Sequence, residues 1–136
     1  TMALYGKGWK GIPNFECNSA VFGEDYLSTM HDSAINLNVL RLQNKVAHNM
    51  RTFEVPAIGG FLLHEYSPAA ANLFQEGVEM EFFRDADECA RKIIYYSEHE
   101  DKRDAIAKAG YNKVIKAGYN YTGLVSRIED GLKQMS

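Results

Sequence analysis

A single carboxylate with apolar neighbours marks the stretch of this sequence with the most chemical potential. Glu54 lies between Phe53 and Val55, and the basic residue Arg51 precedes it by three positions. Burial of a lone carboxylate is costly unless donors hydrogen-bond to it. Glu54 is therefore a candidate functional residue, with a structural capping or ion-paired carboxylate as the alternative.

The residues around Glu54 predict a short helix. Proline is tolerated in the first turn of a helix but not deep inside one, so Pro56 favours a helix that starts near Arg51 or Thr52. The free N–H groups and the positive end of such a helix would face Asn49, Met50 and Arg51, where they suit a phosphate group. Glu54, one turn further on, would lie near whatever that phosphate is attached to.

A glycine-rich loop follows the first predicted strand. Gly6, Gly8 and Gly11 fall within six residues, so the backbone there can approach a ligand closely. A plain turn is the alternative, since the sequence has no Gly-x-Gly-x-x-Gly or Walker pattern.

Bulk composition predicts one domain over residues 1–136, because 136 residues with 46% hydrophobic side chains suffice for a single core. A net charge of −3 argues against nucleic acid or an anionic membrane as a partner. Two cysteines far apart in sequence argue against a zinc site or a disulfide framework, and favour the cytoplasm.

No apolar run reaches the roughly 20 residues of a transmembrane helix, and no signal-peptide pattern opens the chain. The abrupt opening at Thr1 suggests a piece of a longer protein.

Strands and helices are predicted to alternate. This order predicts an α/β fold: a Rossmann-like parallel sheet with helices on both faces, ending in a run of helices, and with ligands at the carboxyl ends of its strands. Strands are expected to end at Tyr5 and to span 20–23, 34–39, 61–63 and 78–83; helices are expected at 24–31, from about 51, at 68–75, from 86, at 101–117 and at 122–134.

The run from Asn49 to Leu63 resembles the "R-x-F-E-x-x-A-x-G-G-x-x-L" signature of the carboxyl-terminal domain of GT-B glycosyltransferases, in particular the CgeB-like group. Four further blocks agree in order: Leu4–Trp9 with "hydrophobic-Y-G-x-G-W", Phe82–Glu88 with a strand followed by "D-x-x-E", Ile94–His99 with "I-x-Y-Y-L-x-H", and Ala105–Tyr111 with "I-A-x-A-G". The resemblance covers essentially the whole chain.

The resemblance implies a donor domain that binds a nucleotide-sugar without a metal ion or other cofactor. The glutamate matching Glu54 accepts hydrogen bonds from the ribose hydroxyls, which suits an acceptor-only carboxylate. Backbone N–H groups at Asn49 and Met50 would face the diphosphate, with added charge from Arg51, while the base would lie near Val21–Gly23. Substrate contacts are thus predicted for Glu54, Arg51, Met50, Asn49, Gly6, Gly8, Phe22 and Gly23.

The sequence departs from the family pattern in two ways. Many GT-B enzymes have a second glutamate eight residues before the ribose one, where this chain has Val46. The amino-terminal acceptor domain is also missing, so the chain alone is expected to be inactive.

Two other functions share the predicted architecture, because fold does not fix function. A receiver-like binding module is disfavoured by strand ends at Tyr5, Val39 and His64 instead of acidic residues. A dinucleotide-dependent oxidoreductase is disfavoured by the missing glycine fingerprint. His48 and His64 are taken as ordinary loop or strand-end histidines.

Overall fold

The computed structural model describes residues 2–119 and 121–135, so Thr1 of the first predicted strand lies outside the described part. The strands are β1 (Ala3–Tyr5), β2 (Glu16–Asn18), β3 (Asn36–Asn38), β4 (Leu62–Glu65) and β5 (Glu81–Phe83). The α-helices are α1 (Gly23–Asp32), α2 (Arg51–Ala57), α3 (Pro68–Leu73), α4 (Ala86–Glu98), α5 (Glu100–Ala117) and α6 (Tyr121–Gln134), and a short 3-10 helix spans Leu42–Asn44.

The strand pairs are parallel, which confirms the predicted fold class. The strands form two sheets: β1 pairs with β2, and β3, β4 and β5 form a three-stranded sheet with β4 in the centre. In that sheet Leu37 lies opposite Leu63, and His64 lies opposite Phe82. The carboxyl ends of β3 and β4 therefore meet at one edge, immediately before the residues that lead into α2 and α3.

Apolar residues cover both faces of the three-stranded sheet. Successive strand residues point to opposite faces, and accordingly Leu62 and Phe82 belong to one core cluster while Leu63 and Phe83 belong to another. The first cluster is completed by Met30, Val55, Ala70, Phe74, Met80 and Val114, and the second by Phe61, Tyr96, Ile106 and Ala107. A sheet buried on both faces is typical of a parallel α/β fold.

Local chemistry sets several helix ends where the sequence predicts them. Ser67 accepts a hydrogen bond from the Ala70 N–H at the start of α3, and Asp85 accepts one from the Glu88 N–H at the start of α4. At the end of α5, Gly118 adopts a left-handed conformation with φ of 60°. The prediction that α2 begins near Arg51 is also confirmed.

The predicted strand at residues 20–23 is wrong. Residues 19–22 form no strand, and Phe22 is instead the extended N-cap of α1. The second strand is β2, which pairs with β1 from Ala3↔Glu16 to Tyr5↔Asn18. Its Glu-Cys-Asn sequence has no apolar alternation, because the strand is largely exposed, and so it gave no strand signal.

Other predicted elements are present with shifted ends. The strand predicted at 34–39 is shortened to β3, and the one predicted at 61–63 runs to Glu65. The strand predicted at 78–83 begins only at Glu81, since backbone bonds from Val78, Glu79 and Met80 to the Gln75 carbonyl make a turn there. Helix α3 ends at Leu73 because Phe74 is extended.

Two predicted helix faces need correction. The apolar period of α4 predicts that Ile94 lies on the core face with Cys89 and Ile93, and that Lys92 lies on the opposite face with Glu88 and Arg91. In the structure Lys92 is half-buried and Ile94 is 62% exposed. The apolar period of α6 predicts that four residues face inward: Leu124, Val125, Ile128 and Leu132. Val125, Ile128 and Leu132 are instead each at least half exposed, and the side chain of Leu124 lies outside the described part. An apolar stripe indicates which face a helix can bury, and says nothing of whether a neighbour covers it.

Candidate functional site

Glu54 lies one turn into α2 and is half-buried. Its Oε2 atom accepts a hydrogen bond of 2.9 Å from the hydroxyl of Tyr26 on α1. Burial and the adjacent Glu54 carboxylate raise the pKa of Tyr26, although the nearby Arg51 guanidinium partly offsets this. The phenol therefore stays protonated and donates, and among the described residues no other donor reaches Glu54.

Arg51 is exposed at the first position of α2, on the same side of the helix as Glu54, because residues three apart are neighbours on a helix surface. Met50, the N-cap residue, is 74% exposed and provides no side-chain cap. Within the described residues, the backbone N–H groups of Met50 and Arg51 have no hydrogen-bond acceptor. A cationic side chain and two unused donors thus lie on the approach to Glu54.

Asn49 is committed to contacts within the protein. Its backbone N–H donates to Thr52 Oγ1 over 3.2 Å, and its side chain exchanges two hydrogen bonds of 2.9 Å with Asn38 at the end of β3. Asn38 is fully buried, so the pair satisfies an amide that would otherwise be costly to bury. Asn49 thereby ties the residues before α2 to the central sheet.

His64 of β4 extends this buried polar cluster. Its Nε2 atom lies 2.8 Å from Thr52 Oγ1, and its Nδ1 atom lies 2.5 Å from the Glu65 carbonyl oxygen. Burial lowers the pKa of His64, opposed in part by the bond to that carbonyl. A carbonyl can only accept, so Nδ1 carries the proton, and the neutral ring accepts at Nε2 from the Thr52 hydroxyl.

Glu65 holds the long loop between β3 and α2. One carboxylate oxygen accepts from the Leu40 N–H over 2.8 Å, and the other pairs with Lys45. Burial raises the pKa of Glu65, but the bonds from Lys45 and the Leu40 N–H outweigh it and lower the pKa overall. The loop is thus fixed at the same sheet edge as His64.

The predicted base-binding residues lie on two elements, the start of α1 and the loop after β1. Phe22 and Gly23 open α1, about one turn before Tyr26, and the Phe22 side chain is 79% exposed. Gly6 and Gly8 follow β1, where the Gly6 N–H donates to the Asn18 carbonyl. A Cβ atom on Gly6 would lie 3.3 Å from Trp9 Nε1, so the indole and not open space lies beside this glycine.

A concave surface of about 500 Å³ lies on another side of α1. It is lined by Tyr5, Val21, Asp25, Ser28, Thr29, Asp32 and Ser33. Glu54 is not among these residues, and a lining with two carboxylates and no lysine or arginine disfavours a diphosphate. This concavity is therefore not the candidate site.

Sequence reasoning missed three residues of the site. The helical spacing of residues 24–31 predicts that Tyr26 shares one side with Leu27 and Met30. Its hydroxyl meets a residue 28 positions away, which no local pattern reveals. Thr52 and His64 were likewise not identified as partners. Their one available signal is a histidine at the end of a buried strand, which needs a hydrogen-bond partner when it is buried.

Within residues 2–119 and 121–135, no group of three or more His, Cys, Asp or Glu side chains could hold a metal ion. None of the helices in this part is long and apolar enough to span a bilayer.

Comparison with known families identifies the chain. The family model described as "Glycosyl transferase-like" matches residues 1–130, and no curated protein matches the chain. The match covers nearly all of the 136 residues and agrees with a parallel α/β domain of GT-B type. The chain thus belongs to the glycosyl transferase-like family.

Proposed function

We propose that this chain is the donor-binding domain of an enzyme that transfers a sugar from a nucleoside diphosphate sugar. The observation that carries the proposal is the position of Glu54: it is half-buried beside the start of α2, and only one of its two oxygens is bonded to another residue that the structure describes. A carboxylate with a free oxygen suits a ribose hydroxyl, which must donate.

The diphosphate is proposed to lie beside Met50 and Arg51. Their N–H groups, for which no acceptor is seen among the described residues, and the exposed Arg51 guanidinium lie at the start of α2, about one turn before Glu54. Asn49 holds the backbone of Met50 in place through its bonds to Asn38 and Thr52. The base is proposed to lie beside Phe22 and Gly23, with the Gly6–Gly8 loop next to it.

The resemblance to the CgeB-like group supports three further parts of the proposal. An acceptor-binding domain of the same enzyme completes the active site, and no metal ion is required. Helix dipole, backbone N–H groups and Arg51 would then stabilise the leaving diphosphate. Family membership also argues against the alternative of a non-enzymatic receiver-like module.

Calorimetric titration with UDP, GDP, ADP and dTDP tests the ribose contact. Glu54→Ala should weaken the binding of the preferred nucleotide by about 1 to 3 kcal/mol, the usual cost of losing a hydrogen bond to a charged group. Glu129→Ala, which removes an exposed carboxylate on α6, is the matched control and should bind like the wild type. If no nucleotide binds, or if both variants bind equally well, the proposal is wrong.

The diphosphate contact is tested separately by comparing a nucleoside diphosphate with its nucleoside. Arg51→Ala should weaken the binding of the nucleoside diphosphate and leave that of the nucleoside unchanged, because the nucleoside has no charge for Arg51 to neutralise. Arg91→Ala, an exposed arginine on α4, controls for the loss of surface charge.

A further inference from the structure

We propose that Tyr26 is a positioning residue for the donor ribose: it holds Oε2 of Glu54 so that Oε1 meets a ribose hydroxyl. This inference rests on the proposed function of Glu54. It adds a residue outside the resembling motif and assigns different tasks to the two carboxylate oxygens.

The Tyr26 ring has little freedom. It is partly buried and packs against the core cluster that contains Met30, Val55 and Phe74. Its hydroxyl therefore reaches Glu54 from a fixed base, over 2.9 Å. A glutamate side chain that is free in solution loses rotamer entropy when it is ordered. Because Tyr26 orders Glu54 before a ligand arrives, less of that cost falls on binding.

The backbone that carries Glu54 is equally fixed. Thr52 and Val55, on either side of it in α2, are fully or almost fully buried, and Thr52 is bonded to His64. With its backbone and Oε2 both held, the Glu54 side chain presents one oxygen to the ligand. The remaining lone pairs of Oε1 have no donor among the residues that the structure describes.

The surroundings of Tyr26 keep it in the donor role. Burial and the Glu54 carboxylate raise the pKa of the phenol, and the Arg51 guanidinium near Tyr26 offsets this only in part. A carboxylate cannot donate, so the proton of this hydrogen bond belongs to Tyr26. A ribose hydroxyl can then donate to the other oxygen without displacing it.

The test compares the preferred nucleoside diphosphate with its 2′,3′-dideoxy counterpart, which lacks the hydroxyls that Glu54 would bind. The wild type should prefer the ribonucleotide. Tyr26→Phe should reduce that preference about 3- to 10-fold, in line with one hydrogen bond, and leave the dideoxynucleotide affinity unchanged. The control is Tyr119→Phe, which removes a hydroxyl from the same apolar cluster. Among the described residues no hydrogen bond to the Tyr119 hydroxyl is seen, so this variant should keep the wild-type preference for the ribonucleotide.

A merely structural role for Tyr26 would lower both affinities alike, so an unchanged preference in Tyr26→Phe overturns the inference. In the double variant Tyr26→Phe/Glu54→Ala, the loss of the phenol should add nothing to the loss of the carboxylate, and additive losses also overturn it. A wild type that does not prefer the ribonucleotide overturns the proposed function itself. The two failures are therefore distinguishable.

Discussion

Thr52 Oγ1 and His64 Nε2 lie 2.8 Å apart, and both side chains are fully buried. The threonine hydroxyl accepts from the Asn49 N–H and donates to the neutral imidazole, which in turn donates to the Glu65 carbonyl. This chain of bonds joins the end of β4 to the start of α2. The residues that precede Glu54 are thereby held against the central strand.

Thr52→Val should destabilise the fold by about 1 to 3 kcal/mol. The substitution keeps the shape of the side chain but leaves a buried imidazole nitrogen and the Asn49 N–H without partners. Thr52→Ser keeps the hydroxyl and should therefore lower the free energy of unfolding by less than Thr52→Val does. Urea unfolding followed by circular dichroism measures both, and equal losses would mean that the hydroxyl contributes nothing.

Stability should fall as the pH decreases below about 6.5, the ordinary pKa of histidine. Burial lowers the pKa of His64 in the folded chain, so in this range the unfolded chain binds a proton that the folded chain does not. Acid therefore favours unfolding until the pH passes below the folded pKa.

His64→Asn should flatten the pH dependence just below about pH 6.5, even if the variant is less stable at every pH. Three carboxylates also have lowered pKa values in the folded chain: Glu65, Glu76 and Glu88. Their protonation lowers the free energy of unfolding further, but only below about pH 4.5. Urea midpoints measured in both windows separate the two effects. An unchanged slope in His64→Asn would assign the upper window to another group.

Lys92→Met should cost about 3 to 5 kcal/mol, the usual cost of removing one partner of a buried ion pair. Lys92 Nζ lies 2.9 Å from Oε1 of Glu81, a residue only 6% exposed, whose other oxygen accepts from the Tyr96 hydroxyl. Burial lowers the pKa of Lys92, but its bonds to Glu81 and Glu88 raise it overall. In thermal unfolding, the exposed control Arg91→Met should change the melting temperature only slightly. Adding Glu81→Gln to Lys92→Met removes the unpaired buried carboxylate and should restore part of the lost melting temperature.

Two glycines in helices should respond to alanine in opposite directions. A Cβ atom on Gly110 would lie 2.5 Å from the Glu79 carbonyl oxygen, whereas one on Gly131 meets nothing within 4 Å. Gly110→Ala should therefore destabilise the fold by about 1 to 3 kcal/mol, and Gly131→Ala should stabilise α6 by up to about 1 kcal/mol. Calorimetric melting temperatures that move in the same direction would contradict the helix packing described above.

Features set by neighbouring residues could be predicted from the sequence. The caps at Ser67 and Asp85 and the stop at Gly118 depend on side chains and φ values within a few residues, and each was found where expected. Strand β2 could not be predicted from the sequence, because an exposed pair of short strands has no apolar period. It is a strand only through its pairing with β1.

The candidate site was predictable in its centre and not in its surroundings. A carboxylate beside a predicted helix start singled out Glu54, but its hydrogen bond to Tyr26 depends on how α1 packs against α2. The position of Lys92 has a similar cause. A lysine on an amphipathic helix suggests a solvated face until the fold places Glu81 beneath it.

The contact between Gly6 and Trp9 has a spectroscopic consequence. Trp9 is the only tryptophan in the sequence, it is 43% exposed, and it lies in the loop after β1. Indole emission from this protein therefore reports on that loop, while the hydrophobic core between β3, β4 and β5 contributes only phenylalanine and tyrosine signals. A nucleotide base that reaches the loop would change the intensity or wavelength of tryptophan fluorescence, and unfolding of the core is better followed by circular dichroism.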